Sequence, residues 1–215
     1  MNNQPKSTFQ FKSTAQLELQ AVSADLVSYR GRKAVRLMEP EEATGADSTI
    51  AIIPDSNFKD GVLETVIAGA PRADAPKDAR GFVGIAFHIQ PGAAQYECFY
   101  LRPTNGRADD QLRRNHATQY ISHPDYPWQR LREENPGVYE SYADLVPGAW
   151  TNVRIVVSGL RALLYLNKAE QPALIVNDLK LGEQAGQIGL WIGGGTQAYF
   201  STIVVENVAS PKVLK

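Results

Sequence analysis

Gly81-Phe82-Val83-Gly84-Ile85-Ala86-Phe87-His88-Ile89, the turn Gln90-Pro91-Gly92-Ala93-Ala94, and Gln95-Tyr96-Glu97-Cys98-Phe99-Tyr100-Leu101-Arg102 together decide the fold. In the first run Val83, Ile85, Phe87 and Ile89 alternate with Phe82, Gly84, Ala86 and His88. Successive side chains of a strand point to opposite faces, so a period of two marks a half-buried strand. The second run alternates likewise, with Phe99 and Leu101 on the apolar face, Glu97 near its end, and Tyr96, Cys98, Tyr100 and Arg102 on the other. Pro and Gly sit between the runs where a tight connection needs them, so the segment reads as an antiparallel pair.

The pattern continues outward in both directions. Ala24–Val27 and Ala34–Met38 read as a hairpin, Ser48–Ile53 as a run stopped by Pro54, and Gly61–Ala68 as a strand before the Pro-, Ala- and Asp-rich loop Gly69–Arg80. Trp150–Val157 and Leu160–Leu166 form a hairpin about Ser158-Gly159, and Gln187–Ile192 and Gln197–Glu206 another about Gly193-Gly194-Gly195. Short strands at close spacing with Gly, Pro and Asn turns predict an all-β, two-sheet antiparallel sandwich. No helix is predicted with conviction, although Pro127–Glu134 has room for two turns before Pro136. No repeat or linker divides the 215 residues, so one domain spanning 1–215 is expected, with the polar start, 1–10, unordered. A chain of this length buries roughly 70% of its unfolded surface and needs no covalent staple.

Composition excludes several functions. A net charge of -1 gives no general pull toward nucleic acid or anionic membranes. No run of about 18 apolar residues could span a bilayer. The single cysteine, Cys98, has no partner for a disulfide and no zinc spacing around it. The start carries no export signal, so the expected location is cytoplasmic if the N-terminus is native, and secreted or periplasmic if a signal peptide has been removed. No nucleophile elbow, phosphate-binding loop or dinucleotide fingerprint occurs. No cofactor is expected. Asp109-Asp110 alone is a weak acidic cluster, so a structural calcium is left open without a supporting motif and no metal site is assigned.

Pro147-Gly148-Ala149-Trp150-Thr151-Asn152-Val153-Arg154-Ile155-Val156-Val157, Leu163-Leu164-Tyr165-Leu166-Asn167, Gly186-Gln187-Ile188-Gly189-Leu190-Trp191, and Ala198-Tyr199-Phe200 with Ile203-Val204-Val205 follow in order. This succession resembles the C-terminal half of concanavalin A-like lectin/glucanase jelly rolls, a superfamily that includes laminin-G-like domains. The resemblance implies a jelly roll whose concave sheet face is a binding groove. It does not fix the activity, because lectins, carbohydrate-binding modules, glycosidases, lyases and adhesion domains share the fold.

Alternation then sorts the side chains. His88, Tyr100 and Arg102 should share the face turned from the core, joined by Trp191 and, if Leu63 and Ile67 are core, by Glu64. Aromatic rings offer flat apolar faces to a pyranose, and guanidinium groups grip oxygens directionally. The other candidates lie in a polar excursion at about 104–147, long enough to predict a function. They are Arg113, Arg114, His116, Tyr120, Trp128, Glu140 and Tyr142. Arg130 and Arg132 read instead as solvated partners of Glu133 and Glu134. The excursion is expected to fold over the face carrying His88, Tyr100, Arg102 and Trp191.

Retaining glucanases of the superfamily carry Glu-x-Asp-x-(x)-Glu, which sets two carboxylates about 5 Å apart. No such motif is present. The first reading is therefore a non-enzymatic lectin-like module that binds a glycan, or a uronate through Arg102 and Arg113. The alternative is a glycoside hydrolase or polysaccharide lyase using Glu64, His88, His116 or Glu140 with Tyr100. A third is a protein-interaction module whose excursion makes a subunit contact. Oligomeric state is left open. Arg102→Ala is expected to lose ligand without changing the melting temperature.

Overall fold

The structure, a computed structural model, describes residues 6–41 and 48–207. The strands are β1 Lys6–Phe9, β2 Glu18–Gln20, β3 Ser23–Tyr29, β4 Arg32–Met38, β5 Ile50–Phe58, β6 Gly61–Pro71, β7 Val83–Ile89 and β8 Tyr96–Leu101. A short helix α1, Gln111–Asn115, precedes β9, Thr118–His123. The helix α2, Trp128–Glu134, precedes β10, Glu140–Ser141. Then come β11 Thr151–Ser158, β12 Arg161–Leu166, β13 Leu174–Val176, β14 Gly186–Ile192, β15 Thr196–Phe200 and β16 Ile203–Asn207.

These strands make two antiparallel sheets. One runs β13-β12-β11-β6-β15-β4-β3, with β16 beside the first half of β6 and β1 beside β16. The other runs β10-β9-β8-β7-β14-β5-β2. The core lies between them. Leu63, Ile67, Val153, Ile155, Leu37 and Phe200 come from the first sheet, and Ile85, Phe99, Leu190 and Ile192 from the second. The chain is all-β, and the alternation in β7 as far as Phe87, in β8 and in β14 selects the core face as the sequence predicts.

Four expectations need correction. Pro54 does not stop its strand: β5 continues to Phe58, with Pro54 beyond the end of the β2 ladder at Ile52 and inside the register shift against β14, so it belongs to no paired position on either edge. Gly193-Gly194-Gly195 is not a hairpin turn. It carries the chain from β14 in one sheet to β15 in the other. A side chain at Gly193 would stand 2.7 Å from Phe82 Cβ, and Gly193 N–H donates to the Phe82 carbonyl, so glycine is needed where the crossing presses on β7. Within the start expected to be unordered, Lys6–Phe9 form a strand that pairs with β16; residues 1–5 lie outside the described residues. Finally, the excursion is not a simple flap. Its β9 and β10 extend the second sheet beyond β8. Its base is closed by Arg107, bonded to both oxygens of Asp144 at 2.6 and 2.9 Å, and by Gly106, where a Cβ would meet Leu145 N at 2.3 Å.

Candidate functional site

Register places Tyr100 beside Gly84 on one flank and Gln119 on the other, and Trp191 beyond Gly84. These four positions share the outer face of the second sheet. Tyr100 and Trp191 lie with ring centroids 4.8 Å apart, and the Trp191 indole N–H donates to Tyr96 Oη. Gly84 has no side chain to separate them.

Arg102 follows β8 on the same face. Its Nη2 donates to Tyr100 Oη at 2.9 Å and Gln119 Oε1 at 3.2 Å, and its Nη1 to the His116 carbonyl at 3.1 Å. Glu140, on β10, stands 3.7 Å from Nη1. Both Arg102 and Glu140 are buried. Arg132 of α2 grips both oxygens of Glu140, at 2.9 and 2.6 Å, and His116 Nε2 lies 3.2 Å from Oε1. Glu140 therefore binds three cationic or donor groups from β8's end, α1's end and α2. It is the post on which the excursion is fastened to the sheet.

The helix α2 packs against β9, with Leu131 fully buried. The same helix sets the Trp128 ring 4.6 Å from the Arg132 guanidinium and 5.6 Å from that of Arg102. The helix α1 starts at Asp110, whose carboxylate caps it by accepting from the Arg113 N–H at 2.6 Å. Between α1, α2 and the end of β8 opens a cleft of about 720 Å³. Arg80, Arg102, Arg113, Arg132, His116 and Trp128 face it. Phe82 forms part of its wall, edge-on to Tyr100.

Electrostatics limit what the cleft can do. Burial pushes the Tyr100 hydroxyl up to about 12, against the opposing pull of Arg102. Its oxygen accepts from Arg102 Nη2. Burial also lowers His116, helped by Arg132 and Arg102 and opposed by Glu140. A neutral His116 facing a carboxylate donates from Nε2, which leaves Nδ1 as an acceptor.

Several candidate residues lie elsewhere. His88 does not join the outer face. A β-bulge between β7 and β14 gives it a φ of 54°, and its ring packs against Phe58 and Phe87 with Nε2 2.7 Å from the Lys59 carbonyl. Strand alternation fails wherever a bulge adds a residue. Tyr120 points to the opposite side from Tyr100, into the core, where its hydroxyl donates to Glu97. Glu64 is on the outer face of the other sheet, paired with Arg154 at 3.8 Å. Tyr142 and Arg114 stack on each other outside the cleft lining, 5.0 Å apart. Arg130 does pair with Glu134, but Arg132 pairs with Glu140 rather than with its helix neighbours. Arg102 is buried and hydrogen-bonded as well as cleft-facing, so its removal is now expected to lower the melting temperature as well as to cost ligand. Sequence reasoning missed Arg80, because the loop that carries it reaches the cleft only through the crossing from β6 to β7. The nearest signal was an unassigned arginine immediately before the strand pair that decides the fold.

His88 still has a measurable consequence. Its Nε2 must donate to the Lys59 carbonyl, and its buried Nδ1 has no partner among the described residues, so protonation would bury an unpaired charge. Burial accordingly lowers it below the ordinary 6.5. The folded state then binds fewer protons than the unfolded one, and the stability from neutral His88 is lost as pH falls from 6.5 through the depressed value. Asparagine tolerates the positive φ, so His88→Asn isolates this effect. The difference in stability between the two proteins should change by up to about 1.4 kcal/mol per pH unit across that window, measured by urea unfolding at a series of pH values. A constant difference would show that His88 carries no such linkage.

No protein-family model matches the chain, and no curated protein matches it. Solved structures do. A Bacillus subtilis protein of unknown function with a galectin-like fold superposes with a TM-score of 0.60 at 11% identity, over 94% of each chain. The exoplasmic/lumenal domain of VIP36 in its Ca2+/Man-bound form gives 0.55 at 13% identity, over 93% of this chain and 86% of that one. A Parabacteroides distasonis protein named provisionally as a glycosyl hydrolase gives 0.52 at 10% identity, over 90% and 89%. The fold is the concanavalin A-like, galectin-like jelly roll. Among the described residues no helix is long and apolar enough to cross a membrane, and no group of three His, Cys, Asp or Glu is placed to hold a metal.

Proposed function

We propose that the protein binds a carbohydrate in the cleft between the end of β8 and the helices of the excursion, without cleaving it. The observation that carries this reading is the cleft's composition: an exposed Trp128 beside arginine side chains held in place by hydrogen bonds. Pre-set donors and a flat aromatic surface match a sugar's alternating hydroxyl and C–H faces. Burial raises the Tyr100 hydroxyl, which disfavours it as a base, and Glu140 is engaged by Arg132 and His116 behind the lining rather than in it. One observation favours a hydrolase or lyase as a second reading: His116 faces the cleft with Nδ1 left to accept a proton.

Calorimetry of the whole chain against a panel of neutral and acidic oligosaccharides tests the proposal. Saturable binding of at least one sugar, with no products released on overnight incubation, is expected. Release of shortened or unsaturated products would favour the second reading. Binding of no sugar would overturn both.

A further inference from the structure

Several arginines elsewhere in the chain have carboxylate partners, although Arg30, Arg32, Arg114 and Arg161 have none among the described residues. Arg36 pairs with Asp25, Arg72 with Asp74, Arg107 with Asp144 and Arg154 with Glu64. Two arginines at the cleft do not. The Arg80 guanidinium donates only to the carbonyls of Lys77 and Ala79, at 2.9 and 3.1 Å. The Arg113 guanidinium donates to Asn105 Oδ1 at 2.9 Å and to the hydroxyl and carbonyl of Thr104, at 3.0 and 3.4 Å. Every one of these acceptors is neutral. Among the described residues neither side chain has a carboxylate within ion-pair distance.

The two are also held close together. Thr104, which Arg113 grips, donates its N–H to the Arg80 carbonyl at 3.3 Å. Burial, then Arg113, depress the Arg80 guanidinium below its ordinary value, Arg102 adds to this, and Asp78 offsets it in part. Arg80 and Arg113 are thus gathered at one cleft wall and fixed by neutral groups, in a lining whose four arginines outnumber its two carboxylates, Asp78 and Asp110. Bonds to neutral acceptors orient a guanidinium without discharging it, so its field stays available to a ligand. Glu140 does not fill this role, since its contacts are with Arg132, His116 and Arg102.

Resting on the carbohydrate reading, we infer that the ligand is an acidic sugar whose oxyanion, a carboxylate or a sulfate, is held between Arg80 and Arg113 while its ring lies toward Trp128. The two sources of the anion share this chemistry, and the planar guanidinium suits either.

The test titrates the full chain with a uronic-acid oligomer, its carboxyl-reduced neutral counterpart, and a sulfated oligosaccharide of similar length. At least one acidic oligomer should bind roughly tenfold or more tightly than the neutral one, as one charge-assisted pair provides. That preference should shrink as salt rises. Whichever acidic oligomer binds more tightly identifies the anion. Arg80→Gln, at the partly exposed side of the cleft, should reduce the acidic-over-neutral preference by about fivefold or more, and Arg113→Gln should do the same. Because Arg113 also braces Thr104 and Asn105, the Arg80 variant carries the decision if Arg113→Gln fails to fold. Equal or tighter binding of the neutral oligomer overturns the inference and leaves the carbohydrate reading standing. An acidic preference untouched by Arg80→Gln also overturns it. Binding of none of the three overturns both.

Discussion

Glu140→Ala is expected to lower the unfolding free energy by about 3–5 kcal/mol, the range for removing one partner of a buried ion pair. The reason is positional. Glu140 is buried, and its carboxylate meets Arg132, His116 and Arg102 at once. Arg102 is itself only 5% exposed and cannot turn to water when its counter-charge is lost. The cost therefore comes mainly from Arg102 left buried with neutral acceptors alone, while the more exposed Arg132 can re-solvate. Glu140→Gln keeps the shape and an acceptor oxygen and should cost clearly less. Urea unfolding of the three proteins at pH 7 gives the comparison. A loss below about 1 kcal/mol for Glu140→Ala would show that Glu140 does not fasten the excursion.

Glu97→Ala should have a comparable effect for a different reason. Glu97 looked from the sequence like a polar residue at a strand end, yet it is wholly buried. Its Oε1 accepts the Leu181 N–H at 2.8 Å, and its Oε2 accepts the Tyr120 hydroxyl. Tyr120 Oη in turn accepts the Lys180 N–H at 2.9 Å. One carboxyl thus ties the loop before β14 to the sheet. Alanine would leave two buried donors unmatched, each costing about 1–3 kcal/mol, so a total of about 2–6 kcal/mol is expected. The charge itself is a liability. Burial raises Glu97 above its ordinary 4.5, outweighing the hydrogen bonds that favour ionisation. The stability it gives is full below pH 4.5 and declines as pH rises through the raised value. Glu97→Gln should remove that decline and keep the Leu181 bond. If Glu97→Ala unfolds at the same urea concentration as the parent, the loop does not depend on this residue.

Much of the fold was legible in the sequence, because a strand's two faces repeat every second residue and the core of two stacked sheets reads only that period. Val83, Ile85, Phe99, Leu190 and Ile192 were assigned to the core on alternation alone, and their burial agrees. Tyr100, Arg102 and Trp191 followed as their complement. The failures share a cause. Each depends on a local event that breaks the period or on a partner far along the chain. One extra residue at the bulge turned His88 inward. The glycine run after β14 changed sheets, which no local pattern reports. Tyr120 reads from the sequence as a ligand-facing residue of the excursion, but β9 joins the sheet at β8 and its register against Phe99 turns the ring into the core. Arg132 looked like a helix-surface charge because Glu133 and Glu134 adjoin it, while its partner Glu140 lies on β10. Arg80 and Arg113 are brought together by the sheet crossing before β7 and by α1, and spacing along the chain carries no trace of that.

The most direct test of the cleft as the binding site is an amide and indole NMR titration of the full chain with the tightest-binding oligosaccharide from the panel. The largest shifts are expected at the Trp128 indole and at the amides of Asn105, Arg113 and His116, with the Arg80 side chain following in parallel. Shifts centred instead on Glu64, Arg154 and Tyr165, on the outer face of the other sheet, would contradict it.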